Sequence, residues 1–164
     1  MKSIKKIEYK RISYDETKEK LEKMIKELKT IKDFEKFLKI VREIIELQNE
    51  IEEMYDYADI QNMRTLDDEF YKEEVEYWNA TKPKFDVLFV PFYQVMLDTE
   101  FKDKLNDVIP ENFFNTVLSK IKITSDKVVD LKRRENELKS EYRSLNKISI
   151  DFEKESLTLP RIAK

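Results

Sequence analysis

Carboxylates crowd one short segment, Asp67, Asp68, Glu73, Glu74 and Glu76 among them, and acids at such spacing can hold a hard cation or relay a proton. The side chains that usually complete such a site do not accompany them. The 164-residue sequence contains no His, no Cys and no Gly. It therefore offers neither imidazole nor thiolate for zinc, no His–Ser or His–Cys nucleophile, and no side chain whose ordinary pKa lies near neutrality. A di-metal bundle would need histidines and an EF-hand calcium loop would need its glycine. The five acids read more simply as the solvated start of a capped helix. Glu135 stands out for another reason. It falls on an apolar stripe, Val128, Leu131, Glu135, Leu138, Tyr142 and Leu145, in steps of three and four. Either the helix rotates so that Glu135 lies at the stripe's edge in water, or the carboxylate is partly buried and needs a partner. Arg64 is the expected one, through an Arg–carboxylate fork with a structural role. No residue qualifies as catalytic, cofactor-binding or metal-ligating from these patterns.

The elements that carry these residues read as helix after helix. Ser13 and Glu16 form a capping-box spacing, and Leu21, Met24, Ile25 and Leu28 follow at helical intervals, predicting a helix over about 15–29. Thr30 and Asp33 offer the next start. Behind them Phe37, Ile44, Ile51 and Ala58 recur every seven residues inside a longer apolar stripe, which predicts one long helix to about Asn62 with coiled-coil-like packing against an antiparallel neighbour. Thr65 with Asp68 repeats the cap-plus-acid pattern. A third helix is expected from near Leu66, carrying Phe70, Tyr71, Tyr77 and Trp78 inward. Pro83 should break or kink it, because an interior proline costs about 3 kcal/mol, leaving 85–97 as a separate or bent segment with a core cluster of Phe85, Phe89, Phe92 and Tyr93. Shorter helices are expected over 100–107 and 111–122, the second opened by Pro110, and a last long one from Ser125 or Asp126. From Ile148 the period changes to two: Ile148, Ile150 and Phe152 alternate with polar residues, as do Leu157 and Leu159. A small β-hairpin over about 147–159 is expected, its apolar face needing cover. The fold class is mainly α: long antiparallel helices in a bundle with a small C-terminal hairpin, one domain over 1–164.

Charge narrows the partners. Thirty-two basic and thirty-five acidic residues leave a net −3 with the signs interleaved, the pattern of a solvated helical surface. The short basic run Lys132, Arg133, Arg134 is diluted by acids and lacks a stacking aromatic motif, which argues against nucleic acid. No apolar run approaches the roughly 18 residues needed to cross a bilayer, and no signal-peptide core opens the chain. No membrane partner and a cytoplasmic location are expected.

Two blocks resemble a known family. Asn62-Met-Arg-Thr-Leu-Asp-Asp-Glu-Phe-Tyr-Lys-Glu-Glu, ending at Glu74, is similar to an early segment of oligoendopeptidase F and its relatives, where a helix and a short turn precede an Asp-x-Phe-Tyr-x-x-Glu helix. Glu135-Asn136-Glu137-Leu138-Lys139-Ser140-Glu141-Tyr142, followed by the alternating Ile148, Ile150, Phe152 and by Leu157-Thr158-Leu159, resembles a second block in the same order. Lys154 and Glu155 replace the Asp-Gly-like pair of that hairpin, and Pro91 departs as well. The resemblance implies the N-terminal helical region of a thimet-class zinc metallopeptidase that hydrolyses short peptides. Such enzymes hold zinc with a His-Glu-x-x-His helix and a further Glu, none of it present here. The implied role is a non-catalytic wall of the substrate channel. The implied partner is a catalytic domain outside these residues, with peptides reached only through it. On this reading Arg64, Thr65, Asp68, Tyr71, Glu135, Asn136 and Tyr142 are candidates for structural or interdomain contacts. A competing reading is a free-standing helical-bundle protein that self-associates or binds a partner through exposed apolar faces, the Phe37–Ala58 stripe first among them.

Overall fold

The computed structural model describes residues 8–65, 68–109, 112–145, 149–152 and 155–158, with side-chain surroundings only as far as residue 145 and not for Asp126 and Lys127. Among these residues the chain is mainly helical: α1 Tyr14–Leu28, α2 Phe34–Arg64, α3 Glu69–Leu88, α4 Val90–Asp98, α5 Lys102–Asn106, α6 Phe113–Ile123 and α7 Asp126–Leu145, followed by β1 Ser149–Phe152 and β2 Glu155–Thr158.

Side-chain caps set the helix starts. Ser13 accepts the Glu16 N–H at α1, and Asp33 accepts the Lys36 N–H at 2.8 Å to open α2, each satisfying one of the orphan donors of a first turn. Thr65 does not start the third helix. Its hydroxyl donates back to the Gln61 carbonyl (2.7 Å), closing α2, and Asp68 caps α3 by accepting the Phe70 N–H at 3.0 Å. The third helix consequently begins at Glu69 rather than near Leu66, which lies outside the described residues.

Pro83 does not break α3 either. The helix runs through it to Leu88. The missing N–H is tolerated where Trp78, Pro83 and Phe85 are all buried, so packing on both sides of the proline offsets its cost of about 3 kcal/mol. The break falls instead at Phe89, ahead of Pro91, which occupies the first turn of α4, where no N–H is needed.

The core follows α2. Phe37, Ile44, Ile51 and Ala58 are each at most 1% exposed. α3 returns antiparallel along α2, with Trp78 packed edge-on to Tyr55 (6.1 Å) and Lys82 bridging Glu52 (2.9 Å) and Asp86 (2.6 Å) farther along. α1 lies on α2, α3 and α4, and α6 on α4. The Phe85, Phe89, Phe92 and Tyr93 cluster is buried as its spacing predicts. Phe70, expected inward, is half exposed.

β1 and β2 pair antiparallel with Ile150 opposite Leu157 and Phe152 opposite Glu155. Ile148, Lys154 and Leu159, which the sequence placed in this element, lie outside the described residues, as does Pro110 ahead of α6.

Candidate functional site

α7 is where sequence and structure diverge most. It packs along α3, but with its polar face. Asn79 Nδ2 donates to Ser140 Oγ at 3.0 Å, and Arg143 Nη1 reaches both carboxylate oxygens of Asp59 on α2 at 2.6 and 2.8 Å. Toward its start, Val128, Val129 and Asn136 face Tyr55, Lys82 and Pro83 across a gap of about 300 Å³. From Leu131 onward the apolar stripe points the other way. Leu131 is 71% exposed, Leu138 47%, Tyr142 67% and Leu145 53%. Four large apolar side chains, spaced seven, four and three residues apart on one outward face, form a patch that water-facing helices normally avoid.

Glu135 shares that outward face, and its expected fork with Arg64 is not formed. Its two oxygens accept from Lys132 (2.9 Å) and Lys139 (2.6 Å), one turn away on either side of the same helix. Those two hydrogen bonds hold the carboxyl down to about 2. The physical reason is exposure: a solvated acid on a lysine-rich helix is satisfied by its own i±3 and i±4 neighbours and needs no distant guanidinium. Arg64 ends α2 with an exposed side chain.

The buried carboxylate is Glu74, one of the five acids assigned above to a solvated helix start. It is 2% exposed. Arg11 grips it from two nitrogens, through Nε (3.0 Å to each oxygen) and Nη2, and Tyr9 Oη donates to it as well. Tyr9 in turn accepts from Trp78 Nε1 at 2.9 Å. Burial pushes the Glu74 carboxyl upward, but the bonds from Arg11 and Tyr9 outweigh it and hold the group below its ordinary range. Burial and the Glu74 hydrogen bond push the Tyr9 phenol up. The segment before α1 is thus clasped onto α3. The signal was available: Glu74 stands four residues before Trp78, on the inward face of a helix whose outer acids are in water.

Tyr71 belongs to the aromatic cluster beside this clasp, with Tyr9 at 6.0 Å and Phe70 at 5.0 Å between ring centroids. Burial pushes its phenol up. Among the residues singled out in the sequence, then, Tyr71 joins the clasp's aromatic surround and Thr65 and Asp68 shape the turn between α2 and α3. Asn136 faces the α3 side of α7, and Glu135 and Tyr142 face outward. The structure does not gather them into one site.

The described residues hold no group of three or more Asp or Glu side chains able to bind a metal. With no His or Cys in the sequence, the donor set does not suit zinc, and no hydrolytic step is derived from these residues. Among the described residues no helix is long and apolar enough to cross a membrane.

The sequence profile of the Peptidase M3 N-terminal domain matches residues 4–124. The chain belongs to that family. No curated protein matches it. Three solved structures share its fold. One, assigned as an oligoendopeptidase F from Bacillus anthracis str. Ames, has a TM-score of 0.89 at 28% identity over 98% of this chain and 30% of that one. PZ peptidase A with an inhibitor gives 0.88 at 24% identity, covering 96% of this chain and 28% of the other. A further assigned oligoendopeptidase F gives 0.87 at 23% identity, covering 95% and 28%. The M3 chain described here therefore spans less than a third of the length of the proteins it resembles. The matched range includes the sequence block at 62–74 and stops before α7 and the block at 135–159.

Proposed function

We propose that this chain is the non-catalytic N-terminal helical region of an oligoendopeptidase F-like M3 peptidase, and that α7 docks onto the catalytic part, lining one side of the channel that admits short peptides. The zinc and its ligands belong to that other part. One observation carries the reading: α7 commits its polar face to α3 and leaves Leu131, Leu138, Tyr142 and Leu145 in water. A helix docked this way has its apolar side free for a second body. The superposition on under a third of the longer peptidases supports the same assignment.

The competing idea, a free-standing protein that uses the Phe37–Ala58 stripe as a partner surface, loses its surface. That stripe is consumed inside the α2 core.

The test uses the reading frame that contains these codons, expressed with its continuation, and the purified 1–164 chain beside it. The longer product should cleave a quenched-fluorescent peptide in a zinc-dependent way, and Leu138→Asp with Tyr142→Asp should lower kcat/KM about tenfold, equivalent to about 1.4 kcal/mol of lost docking. Unchanged kcat/KM in that double variant, or zinc-dependent turnover by 1–164 alone, would overturn the proposal.

A further inference from the structure

Away from α7, a cavity of about 380 Å³ opens between α2, α4 and α6, within the size range of small-molecule sites, about 300–1,000 Å³. Its walls include Leu38, Ile45, Phe92, Ile109, Phe113 and Val117. Its polar end is built from three groups. Tyr93 is 4% exposed, and its phenol oxygen accepts from Gln48 Nε2 at 2.7 Å and from Lys120 Nζ at 3.3 Å. Two donors converge on that oxygen, so the hydroxyl proton has no acceptor among the described residues. Lys120 also lies over the Tyr93 ring, 5.5 Å from its centroid, and makes no ion pair with a described carboxylate. Arg42 stands at the rim, equally without one. In a chain with more acids than bases, two cations with no carboxylate partner among the described residues beside an apolar cavity are a local reversal of the overall balance.

We propose that this cavity binds a carboxylate carrying an apolar group. The carboxylate would accept the free Tyr93 O–H and a remaining Lys120 N–H, with Arg42 closing the charge, and the apolar group would lie against Phe92, Phe113 and Val117. Two sources share this chemistry: a fatty acid, or the free C-terminus of a peptide ending in an apolar residue. The site does not depend on the peptidase reading.

Calorimetric titration of the 1–164 chain with decanoate, decanol, N-acetyl-Ala-Leu-Phe and its C-terminal amide separates them. At least one carboxylate is expected to bind, and to bind about tenfold or more tightly than its uncharged counterpart. Decanoate alone identifies the fatty-acid source, and the tripeptide acid identifies the peptide terminus. Lys120→Met and Tyr93→Phe should each weaken the carboxylate about five- to tenfold without changing decanol binding. The half-exposed Lys120 position tolerates that change whether or not the buried Tyr93 variant folds. Equal binding of charged and uncharged ligands, no binding of either carboxylate at millimolar concentration, or carboxylate binding indifferent to Lys120→Met would overturn the proposal.

Discussion

Removing the Arg11 side chain should harm the fold more than neutralising its partner. Glu74 is 2% exposed, whereas the Arg11 side chain is 49% exposed. Arg11→Ala strands a buried carboxylate with Tyr9 as its one remaining side-chain donor, and stranding a buried charge costs about 3–5 kcal/mol when the pair is fully enclosed. Because half of the guanidinium already sees water, and water can enter the vacated space, about 2–4 kcal/mol is expected. Glu74→Gln leaves no buried charge and releases Arg11 to solvent, so the loss is that of charge-assisted hydrogen bonds, about 1–2 kcal/mol. The double variant should lose less than the sum, by about 1–2 kcal/mol. Urea melts followed by Trp78 emission report on the clasp directly, since Trp78 Nε1 donates to Tyr9. In a chain of this size each kcal/mol corresponds to about 2–4 °C in Tm. The pH dependence has a definite sign. The folded Glu74 carboxyl lies below its ordinary 4.5, so its contribution is fully present above that pH and is lost as pH falls through the depressed folded value. Glu74→Gln should therefore flatten the acid limb of the stability profile. Strict additivity, or an Arg11→Ala variant no weaker than the exposed control Lys10→Ala, would refute this account of the clasp.

Three further outcomes are expected. Glu135 should titrate at about 2 when followed by carboxyl-carbon NMR, and Glu135→Gln should lower the denaturation midpoint slightly at neutral pH and lose that effect in acid; titration at the ordinary 4.5 would contradict its pairing with Lys132 and Lys139. Within 1–164, Leu138→Asp and Tyr142→Asp should each alter stability by no more than about 0.5 kcal/mol, since both side chains lie in water, while Asn79→Ala should cost about 1–2 kcal/mol by removing the bond to Ser140; the reverse order in denaturant melts would mean α7 is turned the other way. Native Trp78 emission should be blue-shifted from that of free tryptophan, as its complete burial demands, and a spectrum like the free residue's would rule out the packing against Tyr55.

Local signals carried the helices well, because each rests on contacts between neighbours in sequence. The Asp33 cap, the seven-residue recurrence of Phe37, Ile44, Ile51 and Ala58, and the burial of Trp78 beside α2 were all legible. So was the family, whose profile matches residues 4–124 and takes in the block at 62–74. The misreadings share one cause. Periodicity says which face of a helix is apolar, but not whether anything covers it. The α7 stripe was read as core, and only the packed molecule shows α7 held by Ser140 and Arg143 with its leucines outward. Pro83 was read as a break or kink from its intrinsic cost, which the buried residues around it offset, so that the helix continues to Leu88.

Charge behaves the same way. Glu74 and Glu135 are both glutamates on helices, and composition cannot tell them apart. The long-range approach of Tyr9 and Arg11, more than sixty residues away in sequence, makes one of them the anchor of a buried clasp. The other is satisfied by lysines within one turn of its own helix. Short-range order was settled by the sequence because the energies that set it are local. Which face meets the core, which meets water and which carboxylate is desolvated were settled by tertiary packing, because the desolvation of a group depends on everything around it rather than on its neighbours along the chain.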